Sequence, residues 1–131
     1  MALRYEIDRI QQLVTITGEY SDAAEWEDLF RRVQADPRLR PGYAFLRDLR
    51  GASTPVSAAT VVEIIAVVRR FWSHLRPSRA AIVTPRDVDS AALVAHALAD
   101  AENLPLQAFT SYETALNWLR AGEDPDDMEE D

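Results

Sequence analysis

Residues 43–57 constrain the fold of this 131-residue chain more than any other stretch. The pattern over 43–49 predicts a strand, and the run 44–46 is apolar on both faces. Such a strand is typical of the middle of a sheet that has helices on either side. Gly51 breaks the strand, and a small polar loop leads to Ser57, a natural N-cap. Because ligands and partners usually sit outside the carboxyl ends of the strands in open α/β sheets, this loop is a candidate site.

The segment after Ser57 is rich in valine and isoleucine, which are typical of strands. The spacing of its apolar residues distinguishes two strands from one helix. At roughly 100° per residue one arc collects seven apolar side chains, which predicts a long helix over 57–76. These residues are Val61, Ile64, Ile65, Val68, Phe71, Trp72 and Leu75. Val62 and Val67 flank the arc and widen it, and Pro77 is a natural stop.

The remaining elements alternate between strand and helix patterns. Strand patterns occupy 3–7, 13–18, 79–83 and 104–109, and helices are expected over 22–35, 84–99 and 110–121. The first of these helices opens with a capping box of Asp22 and Glu25 and turns Trp26, Leu29, Phe30 and Val33 inward. The last opens with a box of Thr110 and Glu113 and turns Tyr112, Ala115, Leu116 and Leu119 inward.

The resulting order is β-β-α-β-α-β-α-β-α, which predicts an α/β fold with a mixed, largely parallel sheet of about five strands and four helices. The N-terminal hairpin adds an antiparallel element. We expect one domain over residues 1–121, with Gly122 ending the last helix, and a disordered acidic tail over 122–131.

The net charge of −8 comes mainly from that tail, which contains seven acidic residues and no basic one. The near-neutral remainder argues against nucleic-acid binding, which needs a basic footprint. The chain has no cysteine and no lysine, so thiolate, disulfide and Schiff-base chemistry are excluded, and a cytoplasmic location is expected. We expect no membrane span, no cofactor and no metal, since His74 and His96 belong to no metal-binding motif.

Several short motifs, in this order, resemble the SpoIIAA-like superfamily, in the branch of small bacterial proteins called STAS-like or CRAL-TRIO-like. The motifs are residues 5–8, 13–18, 36–38, 46–51, 81–83, Phe109 and 115–119, and the resemblance covers roughly residues 3–120. It implies the SpoIIAA-like fold. STAS relatives act as phosphorylation-controlled protein partners with an Asp-Ser-(Ser/Thr)-Gly-type motif after the third strand. That motif is absent here, and Ser53, Thr54 and Ser57 are candidate hydroxyls by position only.

Two groups of residues are candidate sites. Asp48 and Arg50, at the end of the central strand, either bind an anion or partner or pair with neighbouring charges and hold the loop. Tyr43, Phe71 and Trp72 either pack in the core or line an apolar pocket.

The leading expectation is a non-enzymatic protein-interaction or regulatory module with an unidentified protein partner. The alternative is a small binder of an apolar, lipid-like ligand. Self-association through the Val62 and Val67 flank or through a sheet edge stays open, and a two-fold dimer is the commonest form.

Overall fold

The computed structural model describes residues 3–19, 22–51, 57–84, 97, 99–101 and 103–121. The strands are β1 (Arg4–Asp8), β2 (Leu13–Thr17), β3 (Ala44–Asp48), β4 (Ala80–Val83) and β5 (Leu106–Phe109). The helices are α1 (Ala23–Ala35), α2 (Ala58–Leu75) and α3 (Tyr112–Ala121). Residues 97 and 99–101 are also helical and belong to the helix predicted over 84–99 and its continuation; the rest of that prediction lies outside the described residues.

The five strands form one sheet in the order β1-β2-β3-β4-β5, so β3 is the central strand, as its two apolar faces predicted. β1 and β2 pair antiparallel, and the other three pairings are parallel. The predicted fold class is therefore confirmed. We call the ends where β2 to β5 begin the amino edge of the sheet and the ends where they finish the carboxyl edge.

Each face of the sheet carries its own hydrophobic cluster. On one face, α1 and α2 pack over side chains that include Val14, Ile16 and Phe45. On the other, α3 packs over Leu46 and Val83 through Ala115 and Leu119. On this second face the β1–β2 hairpin carries polar side chains, with Glu6 opposite Thr15.

The start of α1 confirms the predicted cap but gives Glu25 a different role. The Asp22 carboxylate accepts a hydrogen bond from the amide of Glu25 at 3.0 Å. The Glu25 carboxylate, in turn, accepts one at 2.8 Å from the amide of Leu3, directly before β1. The acidic residue of the capping motif therefore ties the helix to the N-terminal hairpin.

Helix α2 begins at the predicted N-cap, Ser57, whose hydroxyl accepts a hydrogen bond from the amide of Thr60 at 3.2 Å. The predicted flank of the apolar arc is wrong on one side: Val67 is buried, but Val62 is 51% exposed. The reason is that α2 packs against α1 as well as the sheet, with Phe71, one turn after Val67, 5.6 Å from the ring of Phe30. The buried arc consequently extends towards α1.

Helix α3 begins one residue later than its predicted cap. The hydroxyl of Ser111, not of Thr110, accepts from the amide of Thr114 at 3.2 Å. Ala115 and Leu119 are buried as predicted, whereas Tyr112 and Leu116 are half-buried. The acidic segment 122–131 lies outside the described residues. Within the described ranges, no helix combines the length and apolar character that a bilayer crossing requires.

Candidate functional site

The carboxyl edge gathers the polar residues that the sequence singled out. Asp48 is the last residue of β3, and the amide of Leu49 continues the pairing with β4 by donating to the carbonyl of Val83 at 2.8 Å. Helix α3 starts at the same edge, two residues after β5 ends. This topology places Tyr112 close to the turn that follows β3.

Asp48 and Arg50 form a closed fork in this turn. Arg50 donates to Asp48 Oδ1 from its backbone amide at 3.0 Å and from Nε at 2.9 Å, and to Oδ2 from Nη2 at 2.8 Å. The guanidinium carbon also lies 4.3 Å from the ring centre of Tyr112 in α3. Bidentate pairing and ring stacking together fix the orientation of the Arg50 side chain.

The electrostatics of the fork favour its charged form. Hydrogen bonds from the Arg50 side chain lower the pKa of Asp48, against the effect of partial burial, which raises it. The same bonds raise the pKa of Arg50. A general acid or base works best with a pKa near the working pH, and that of Asp48 is displaced in the opposite direction. The Asp48 side chain is 15% exposed and that of Arg50 50% exposed, so the fork presents mainly a cation.

Arg47, which the sequence did not single out, lies on the opposite face of β3. Its guanidinium donates to the carbonyl of Ile16 in β2 at 3.4 Å and to that of Glu19, just after β2, at 3.0 Å. It also lies 5.3 Å from the ring centre of Trp26 in α1. The sequence did contain a signal for this role of Arg47, because a charged residue in a strand that is buried on both faces needs fixed hydrogen-bond partners.

The hydroxyl candidates divide into two groups. Ser53 and Thr54 lie outside the described residues, so their role stays a prediction. Ser57 is exposed and caps α2, and its Oγ lies 3.1 Å from the hydroxyl oxygen of Thr60.

The predicted apolar pocket residues belong to the α1/α2 side of the sheet. Tyr43 and Phe71 are buried members of one hydrophobic cluster, and Trp72 is half-buried. Tyr43 precedes β3 and therefore lies at the amino edge, away from Asp48 and Arg50. The structure thus places the two groups of candidate residues at opposite ends of the central strand. Among the described residues, no three acidic or histidine side chains cluster as a metal site would require.

Neither a protein-family model nor a curated protein matches the sequence. A solved structure does match: an uncharacterized protein of the DUF3478 family from Shewanella loihica PV-4, described as having a SpoIIAA-like fold. The two chains are 17% identical, and the match has a TM-score of 0.55 and covers 90% of this chain and 94% of the other. At this identity the likeness concerns the fold alone. The protein therefore has a SpoIIAA-like fold, as the order of its sequence motifs predicted.

Proposed function

We propose that the protein is a non-catalytic interaction module of the STAS-like type that contacts a protein partner through its carboxyl edge. The observation that supports this proposal is the Asp48–Arg50 fork stacked on Tyr112. A cation held in a single orientation loses little conformational freedom when a partner binds it. Nε and Nη2 of Arg50 donate to Asp48, so Nη1, which has no partner among the described residues, would serve a carbonyl or carboxylate of the partner.

The same observation supports a role without catalysis. The carboxylate of Asp48 already accepts three hydrogen bonds from Arg50, and its pKa lies below the usual range. The guanidinium of Arg47 is committed to backbone carbonyls beside β2. These ionisable groups at the carboxyl edge hold the chain in place, which is the role expected of a binding surface.

A photo-crosslinking residue placed at position 51 tests the proposal. A Cβ built at Gly51 meets no heavy atom within 4 Å, its two chain neighbours aside, so a side chain can start there without a clash at its Cβ. The matched control carries the same probe at Gln34, an exposed residue on α1. At native expression, we expect a discrete protein adduct from position 51 that is lost in an Arg50→Gln background. Identical adducts from both positions, or none from position 51, would count against the proposal.

The alternative, a binder of an apolar, lipid-like ligand, needs space beside Tyr43, Phe71 and Trp72. The ring of Phe30 already fills one side of Phe71. Native mass spectrometry of protein isolated from its own cells separates the two functions, because a retained ligand would add a defined mass. Loss of that added mass on Phe71→Ala, with the fold intact, would favour the ligand-binding function over the interaction module.

A further inference from the structure

Five arginines gather at the amino edge, the end of the sheet opposite the Asp48–Arg50 fork. They are Arg9 in the β1–β2 turn, Arg40 before β3, Arg76 and Arg79 before β4, and Arg120 near the end of α3. The positions of these residues in the topology place them at one edge, and one backbone and one side-chain contact agree with this placement. The amide of Gly42 donates to the carbonyl of Arg76 at 2.8 Å, and Arg120 Nη2 donates to Gln11 Oε1 at 3.2 Å.

None of the five forms an ion pair with another residue in the described part of the chain. The guanidinium of Arg40 donates to the carbonyls of Pro37 and Leu39. That of Arg79 donates to the carbonyl of Trp118 at 2.8 Å and lies 4.4 Å from the centre of its ring. These contacts orient two of the cations without neutralising them.

Three aspartates of the described residues lie at the same edge: Asp8 at the end of β1, Asp36 after α1 and Asp100 before β5. Asp36 is paired with Arg38, whose Nη2 lies 2.8 Å from Asp36 Oδ2. Asp8 accepts hydrogen bonds from the amides of Ile10 and Gln11, both at 3.0 Å. The five arginines and Arg38 outnumber these aspartates, so the described residues of the amino edge carry a surplus of positive charge, although the whole chain has a net charge of −8.

Helix α3 ends at this same edge, so the acidic segment that follows it in the sequence starts there. The helix runs from the carboxyl edge to Ala121, and both Trp118 and Arg120 in its last turn contact residues of the amino edge. The ten residues that follow contain seven carboxylates and no basic residue: Glu123, Asp124, Asp126, Asp127, Glu129, Glu130 and Asp131. Fully extended, ten residues span about 33 Å. Neighbouring strands are only about 4.8 Å apart, so the segment can reach every arginine of the group.

We propose that the acidic segment 122–131 docks in cis on the arginines of the amino edge. Guanidinium and carboxylate groups pair with two parallel hydrogen bonds, and this chain has 14 arginines and no lysine. A short flexible tether gives an effective concentration on the order of 1 mM, so even contacts with a dissociation constant near that value keep the segment bound about half of the time. The proposal is independent of the carboxyl-edge function, since it uses none of the residues of the fork.

Paramagnetic relaxation measured by NMR tests this docking in the full chain. The sequence has no cysteine, so one cysteine added after Asp131 carries the only spin label. At low salt we expect the label to broaden the amide signals of Arg40, Gly42 and Arg76, while that of Gly51 at the carboxyl edge stays sharp. Added salt should relieve the broadening, because exposed charges beyond about 10 Å are screened at 0.1 M ionic strength.

The matched control has the same label and the same length, but its seven acidic residues are replaced by asparagine or glutamine. A tail that moves freely would broaden the amino edge equally in both proteins, whereas docking predicts that the broadening falls about twofold or more on neutralisation. Arg40→Gln combined with Arg76→Gln should reduce it in the acidic chain, with unchanged amide positions elsewhere reporting an intact fold. Equal broadening with both tails, or broadening that salt does not change, would overturn the proposal.

Discussion

The hydrogen bond between Tyr5 and Asp36 offers the sharpest test of how the edge strand is held. Tyr5 lies in β1, and its hydroxyl donates to Asp36 Oδ2 at 2.9 Å, across 31 residues of sequence. Asp36 directly follows α1 and also accepts two side-chain hydrogen bonds from Arg38, at 2.8 and 3.0 Å. Tyr5→Phe therefore removes one bond to an ionised acceptor and leaves the ring, and most of the packing, in place.

We expect Tyr5→Phe to lower the free energy of unfolding by about 1.5 kcal/mol, the lower end of the range for bonds to charged groups, because Tyr5 is only half-buried. For a chain of this length the melting temperature should fall by about 5 °C. Urea titration followed by tryptophan fluorescence measures the change directly. Tyr112→Phe is the matched control, since the Tyr112 hydroxyl has no hydrogen-bond partner among the described residues, and its effect should be small.

A double-mutant cycle with Asp36→Asn isolates the pair. If Tyr5→Phe costs as much in the Asp36→Asn background as in the wild type, the stability does not come from this bond and the reasoning is refuted. A cost indistinguishable from that of Tyr112→Phe would refute it equally. An equal cost in both backgrounds would instead attribute the effect to the altered aromatic ring, whose centre lies 6.0 Å from the guanidinium carbon of Arg32.

The stability contributed by the Tyr5–Asp36 pair should decrease at both low and high pH. Hydrogen bonds from Arg38, first those of its side chain, and one from Tyr5 hold the pKa of Asp36 well below its usual range. The ionised carboxylate thus contributes stability above about pH 4, and this is lost as the pH falls through the lower, folded-state pKa. Burial and the bond to Asp36 raise the pKa of Tyr5. The neutral phenol contributes stability below about pH 10, which is lost as the pH rises further. The difference between wild type and Tyr5→Phe should therefore be constant near neutrality and shrink at both extremes.

Three further substitutions test the core, a cap and the fork. Leu46→Ala, at a fully buried position of the central strand, should cost about 2–5 kcal/mol in urea titration, whereas Ile10→Ala, at a 93% exposed position, should cost almost nothing. Ser57→Ala should cost about 0.5–2 kcal/mol by loss of the α2 cap, and Ser57→Asp should retain that stability because aspartate caps equally well. Arg50→Gln should cost less than about 1 kcal/mol, since the side chain is half-exposed. It should also weaken the loss of stability on acidification, because the pKa of Asp48 returns towards its usual value.

The sequence predicted the elements well wherever a local signal determined them. The two apolar faces of β3, the caps at Asp22 and Ser57 and the alternation of strand and helix patterns depend on residues a few positions apart. The predicted N-cap of α3 was wrong by one position. Thr110 and Ser111 are both good N-cap residues, and the sequence alone does not show at which of them the helix begins.

The interactions that the sequence did not reveal join residues far apart in the chain. The bond of Glu25 to the amide of Leu3 spans 22 residues, and that of Arg47 to the carbonyl of Glu19 spans 28. Val67 is buried because α1 covers its side of α2. The periodicity of α2 alone cannot show where another helix packs. The Asp48–Arg50 pairing was foreseen as one of two alternatives, since only two residues separate its members. Its third member, Tyr112, depended on where α3 packs.

The central strand is bracketed by two forks of the same design, and their difference explains the asymmetry of the sheet edges. In each, an arginine two residues after an aspartate pairs with it through Nε and Nη2, so both turns become nearly neutral. The fork after α1 is tied to β1 through Tyr5, and the fork after β3 is stacked on α3 through Tyr112. Because neither fork leaves a free charge at its own aspartate, the surplus positive charge of the amino edge comes from arginines outside its fork. Those arginines lie beside the end of α3, which the acidic segment 122–131 follows in the sequence, whereas at the carboxyl edge the exposed cation is the half-exposed guanidinium of the fork itself.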